Sequence, residues 1–233
     1  MNNLQSAAQR KFHPLFFCCS ILVGSILASC MAGFVLLAVF APSIYNTLSF
    51  YRFAFRANSY YAQGSYQEAV DDYTQAINLR ADDPFIFAYR GGAYAHLEDY
   101  ENFKADMEMA ISLAPNLEMA HNNLCWYGSL LGHPEDVMEA CEYAVALDPD
   151  SASYRDSRGL ALALVGDYEG AILDFQYYVD QAAAADSYID LADARKRMEW
   201  IASLKQGIDP FDLQELQELL EDEQADPIPE SST

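Results

Sequence analysis

Positive charge is scarce in this chain, and its distribution is lopsided. Lysine and arginine total 13 against 35 aspartates and glutamates, for a net charge of −22 at pH 7. Every acid lies beyond residue 50, together with 11 of the 13 bases, so that part of the chain carries about −24. No nucleic-acid partner is expected, because phosphate contacts need a basic surface. Two readings of the acidity stay open: a solvated helical surface, or attraction to a basic partner. Histidine is also sparse. None of His13, His96, His121 and His133 stands beside a serine or cysteine in a nucleophile motif, and no His/Cys set has zinc spacing. Glycine-rich phosphate loops are absent. The chain is therefore not expected to be an enzyme, and no cofactor, metal or small-molecule substrate is expected either.

Charge is missing altogether from Leu15 to Ala41, an apolar run of 27 residues that ends at Pro42. As a helix it spans about 40 Å, more than the roughly 30 Å hydrocarbon core of a bilayer. The expectation is a transmembrane signal-anchor helix over 15–41 behind a short tail, 1–14. The flanking bases are balanced, Arg10 and Lys11 before the run and Arg52 and Arg56 after it. The short tail favours its inside placement, with the rest of the chain outside the cytoplasm. Two other readings stay open. Leu27-Ala28-Ser29-Cys30 resembles the lipobox of bacterial lipoproteins, which would make this a periplasmic lipoprotein. A cleaved signal peptide is the third, although its apolar region usually runs about 7–15 residues.

What the chain does have is a repeat. Gly64, Glu98, Gly132 and Gly166 are 34 residues apart; so are Tyr66, Tyr100, Pro134 and Tyr168, and Ala69, Phe103, Val137 and Ala171. A fixed period means one supersecondary unit stacked on copies of itself, since a lone unit cannot bury its apolar face. In the second unit, Phe85–Leu97 and Glu101–Leu113 are amphipathic stretches joined at Glu98-Asp99-Tyr100 and stopped by Pro115. Small residues recur where two helices approach closely: Ala57, Gly91, Cys125 and Gly159 on the first helix, Ala69 and Ala171 on the second. The segments Gly-Ser-Tyr-Gln-Glu-Ala-Val (64–70) and Gly-Asp-Tyr-Glu-Gly-Ala-Ile (166–172) carry the pattern most fully. Over residues 50–185 the chain resembles the tetratricopeptide repeat (TPR) family.

The resemblance implies an all-α fold: a right-handed α-solenoid of four helix pairs at about 50–83, 84–117, 118–151 and 152–185, within 42–185. A capping helix follows at 186–206, then a short acidic amphipathic helix at 207–223 and a disordered tail at 224–233. The acidic segment, with Phe211, Leu213, Leu216, Leu219 and Leu220, has too many apolar residues to stand free and should dock on the solenoid. The resemblance also implies a scaffold that holds a protein or peptide segment in a concave groove lined by first helices. Carried over by position, the groove residues are Tyr51, Asn58, Tyr61, Phe85, His96, Met119, Asn122, Asn123, Trp126 and Leu160. The lysines and arginine of a carboxylate clamp are missing from those positions, and the lining is aromatic, apolar and amide-rich. Some of it, Trp126 above all, has packing against neighbouring helices as its alternative role. An enzyme or sensor subunit using the solenoid for docking is the remaining alternative.

Two patterns concern what ties each pair together. Arg56, Arg90 and Arg158 each precede an aspartate by 16 residues, namely Asp72, Asp106 and Asp174. The third unit has Leu124 and Ala140 there, so both partners vanish together. An Arg–Asp bridge from first to second helix is expected in units one, two and four. Cys125 and Cys141 occupy facing positions of the third unit's two helices. They are either a disulfide or two free cysteines filling core space.

Overall fold

The computed structural model describes residues 43–184 and 191–222. The chain divides into two units, 1–48 and 49–233; of the first, only residues 43–48 are described, and they are helical. In the second unit α1 occupies 49–62. It is followed by α2 (Tyr66–Leu79), α3 (Pro84–His96), α4 (Tyr100–Leu113), α5 (Glu118–Leu130), α6 (Pro134–Leu147), α7 (Ala152–Leu164) and α8 (Tyr168–Ala184). Beyond these lie α9 (Leu191–Leu204) and α10 (Leu213–Asp222).

Local chemistry sets the boundaries. Pro84 and Pro134 open α3 and α6, where the missing N–H is one that a helix start leaves unpaired anyway. Asp83, Asp99 and Ser151 cap α3, α4 and α7 by accepting from Phe85 N at 3.1 Å, Asn102 N at 3.2 Å and Tyr154 N at 3.3 Å. Between the helices of a pair the chain turns through one left-handed residue. Gly64, Gly132 and Gly166 serve with φ of 73°, 84° and 87°, and Glu98 fills the same place at 55°.

The paired helices pack through the column of small residues. A Cβ on Gly91 would come within 2.4 Å of Met107 Cε, and one on Gly159 within 2.9 Å of Phe175 Cε1. The large partners Tyr73, Met107 and Phe175 are fully buried. In the third pair the corresponding residues are Cys125 and Cys141, with Cα atoms 4.8 Å apart and a disulfide between them.

Arginine links the other pairs. Arg90 donates to both Asp106 oxygens at 2.7 Å, and Arg158 to both Asp174 oxygens at 2.7 and 2.9 Å. Arg56 donates to both oxygens of Asp72 in the same bidentate way. The aspartates are buried. Two of these arginines also reach back one helix: Arg90 Nη1 donates to Thr74 Oγ1 and Arg158 Nη1 to Glu142 Oε2, each at 3.0 Å. Each thus joins three helices and two successive units.

After the last pair, α9 packs on α8. Its Arg197 makes a buried ion pair with Asp156 of α7 at 2.7 Å. The expected capping helix at 186–206 therefore lies over α9 in its described part; residues 185–190 and 223–233, including the expected tail, lie outside the described residues. The acidic helix starts later than the pattern suggests, at Leu213. Asp212 caps it, accepting from Gln214 N and Glu215 N at 3.0 and 2.9 Å. Phe211 is separate from it, buried against Trp200 and Phe175 with ring centroids 4.9 and 6.2 Å away.

The single-pass placement is overturned. Among the described residues no helix is long and apolar enough to cross a membrane. The helices α2–α10 run from 10 to 17 residues, at most about 26 Å. The run 15–41 that motivated the expectation, with Cys30 in it, lies outside the described residues.

Candidate interaction groove

First helices of successive pairs pack on one another, α3 on α5 and α5 on α7, and each also packs on the second helix before it. The face they turn away from the second helices is the surface a bound segment would meet. Position by position, that surface is uneven.

At the α1–α3 end, Tyr51 and Phe85 are 59% and 47% exposed. Asn58 is half-buried, with its Oδ1 accepting from the Tyr73 hydroxyl at 2.6 Å. Tyr61 lies against α3, its hydroxyl 2.9 Å from His96 Nε2 and 3.4 Å from where a Cβ on Gly92 would stand. His96 stacks on Tyr66 at 4.4 Å and meets Tyr61 and Tyr127 edge-on, each at 5.5 Å. Burial in this aromatic nest pushes the imidazole down to about 4, so it is neutral near pH 7.

On α5, Met119, Asn122 and Asn123 are half-buried. Trp126 is only 7% exposed and belongs to the main apolar core, so it offers no open anchor in this structure. Asn122 Oδ1 and the Trp126 indole N–H, one turn apart, are buried and have no hydrogen-bond partner among the described residues. In the last pair the carried-over position fails: Leu160 is completely buried and fills core space. The surface thus runs from Tyr51 to Asn123, and closes at Trp126.

Four contacts had little or no sequence signal. Arg90–Thr74 and Arg158–Glu142 lie 16 residues upstream of the arginines, the same spacing as the expected aspartates but in the other direction. Tyr100 stacks on His133 across units at 3.6 Å. Arg197 lies beyond the repeat, so the period gives no hint of its pairing with Asp156. Among the described residues no group of three or more His, Cys, Asp or Glu side chains is placed to hold a metal.

The repeats match family models described as TPR repeat over 57–97 and tetratricopeptide repeat over 90–117 and 132–202. The repeats are tetratricopeptide repeats. Among curated proteins, the small glutamine-rich tetratricopeptide repeat-containing protein 2 of Saccharomyces cerevisiae is 28% identical over 116 residues, covering 50% of this chain and 31% of that protein. Among solved structures, MamA residues 41–end of Desulfovibrio magneticus RS-1 aligns with a TM-score of 0.55 at 20% identity, covering 68% of this chain and 94% of that one. A tetratricopeptide repeat protein of Parabacteroides merdae aligns at 0.55 and 17% identity, covering 80% and 77%. These structural likenesses are of TPR fold. The chain spans about a third of the yeast relative it matches.

Proposed function

We propose that this TPR domain is a protein-interaction scaffold that holds a segment of another protein on its first helices. The observation that supports this most is the row at the α1–α3 end, where Tyr51 and Phe85 are exposed, while Asn58 and Tyr61 are half-buried and engaged with Tyr73 of α2 and His96 of α3. Aromatic anchors of this kind contribute most of the binding energy where a segment buries them. The row carries amides and rings, with no cluster of convergent ionisable groups, so recognition by apolar side chains and main-chain hydrogen bonds fits it better than catalysis does.

The test is crosslinking with mass spectrometry, on the full chain and on Y51A/F85A. Both residues are exposed, so their truncation leaves the fold intact. Partner crosslinks should fall at least tenfold in that variant. A control replacing the exposed Glu101 and Glu135 should leave them unchanged. Equal loss in both variants would remove the assignment.

A further inference from the structure

The groove is not empty along its whole length: α10 packs against α5, its central helix. Leu219 and Leu220 of α10 are buried, and with the half-buried Leu216 they join the apolar cluster that holds Trp126, Tyr127 and Leu130 of α5. The polar edge of the helix is fixed as well. Glu215 accepts from the Trp200 indole N–H at 3.0 Å and pairs with Lys196 at 3.2 Å, both on α9. One carboxylate and three leucines therefore define the contact, in the order Glu-Leu-x-x-Leu-Leu. Its remaining charges, on Glu218, Glu221 and Asp222, face solvent.

We propose that α5 and α9 form a docking site for acidic, leucine-rich amphipathic helices of the Glu-Leu-x-x-Leu-Leu pattern, and that α10 occupies it in cis until an external helix of that pattern displaces it. This rests on the scaffold reading above and extends it to a second stretch of the same surface. Three features make α10 exchangeable. It is a ten-residue helix, too short to be stable alone, so it is ordered only while docked. It is reached through 205–212, where Ile208 is 55% exposed, so the connection is not built into the core before Phe211. The α5 helix it packs on also keeps polar groups unsatisfied, because among the described residues the Asn122 carbonyl and the Trp126 N–H stay buried without partners. An incoming segment that supplied a donor and an acceptor there, as one side-chain amide does, would bind better than α10 does.

The probe is a labelled synthetic peptide of residues 209–222, followed by fluorescence anisotropy. Two full-length proteins are compared, the natural chain and L219D/L220D, in which two buried apolar side chains of α10 become charged and the helix is released. The peptide should bind the variant at least tenfold more tightly than the natural chain. A peptide carrying Glu215→Arg should lose that binding. If L219D/L220D loses its helical circular dichroism, the milder full-length variant E215R takes its place, since Glu215 is only partly buried. Equal affinity for natural chain and variant would overturn occupation in cis. Binding to neither released variant, with both folded, would overturn exchange and make α10 a fixed part of the cap. A dimer of the natural chain that L219D/L220D abolishes would place the helix on a second copy and overturn the assignment in cis. None of these outcomes touches Tyr51 and Phe85, so the scaffold reading succeeds or fails separately.

Discussion

The second and third helix pairs have the same lengths, a helix of 13 residues followed by one of 14, and hold themselves together by different chemistry. In the second pair Gly91 receives Met107, and Arg90 grips Asp106 with two hydrogen bonds of 2.7 Å. In the third the same four positions are Cys125, Cys141, Leu124 and Ala140, giving a covalent bond and two apolar side chains. A repeat needs its two helices in register, and either device supplies that. The third pair is also where the family match lapses, over 118–131, and where α10 docks. Divergence from the repeat consensus is concentrated on the helix that carries an extra contact.

The comparison is broken most severely by removing Arg90. Its side chain is 17% exposed and that of Asp106 6%, and burial pushes the Asp106 carboxyl above its ordinary range against the pull of the guanidinium. R90A leaves that carboxylate uncompensated and should cost about 3 kcal/mol or more in urea unfolding. R90L/D106A, which installs the third pair's residues, should recover most of the loss, because two apolar groups replace both charges. R56A should cost distinctly less, since Arg56 is 51% exposed. A double variant as unstable as R90A would show that the pairs are not interchangeable.

The converse break is reduction of the disulfide. The bond closes 16 residues of sequence separation, worth about 3 kcal/mol through the entropy of the unfolded chain. Urea unfolding with and without a thiol reductant should differ by about that amount in the natural chain. A C125A/C141A variant should show no such difference. Loss in both would place the effect of the reductant elsewhere.

How much of this was legible beforehand follows from which residues obey the period. Gly64, Gly132 and Gly166, the Arg–Asp spacing and the facing cysteines recur or vanish in register, so helix pairs and their ties could be read from one chain. Arg197 and Glu215 lie beyond the last repeat, and nothing in the spacing connects them to Asp156 or Trp200. The groove was harder to read. Leu160 and Trp126 occupy groove positions by count yet are buried. Carry-over by position gives the face of a helix, and cannot tell what later packs on it. The apolar pattern of 211–220 announced docking, but the surface it meets depends on how α9 and the loop return the chain to α5.

A smaller effect separates the pairs by pH. His96 of the second pair is matched by Leu130 in the third, 34 residues on. The folded imidazole titrates near about 4 because Tyr61, Tyr66 and Tyr127 enclose it, while the unfolded side chain titrates near about 6.5. Between those values the unfolded chain takes up the proton first. Stability present above about pH 6.5 is therefore lost as pH falls towards 4, by about 2 kcal/mol near pH 5. H96L, which copies the third pair, should remove that part of the acid sensitivity. Parallel pH profiles for H96L and the natural chain would refute it.

The smallest expected effect lies in the turns. Glu98 holds φ at 55°, where the third pair has Gly132 at 84°. In this left-handed region Cβ crowds the neighbouring carbonyl, which costs a side-chain-bearing residue roughly 1–2 kcal/mol that glycine escapes. Glycine's greater freedom in the unfolded chain offsets part of the gain, by about 0.4–1 kcal/mol. Nothing comes within 4 Å of where a Cβ would stand on Gly64, Gly132 or Gly166, so the turn selects glycine through the backbone alone. Glu98 is exposed, and no packing is lost with it. E98G should therefore stabilise the chain by roughly 0.5–1 kcal/mol in urea unfolding, and G132E should destabilise it by a similar amount. If E98G destabilises instead, the unfolded-state entropy of glycine outweighs the relief of strain, and the second turn is the better adapted of the two.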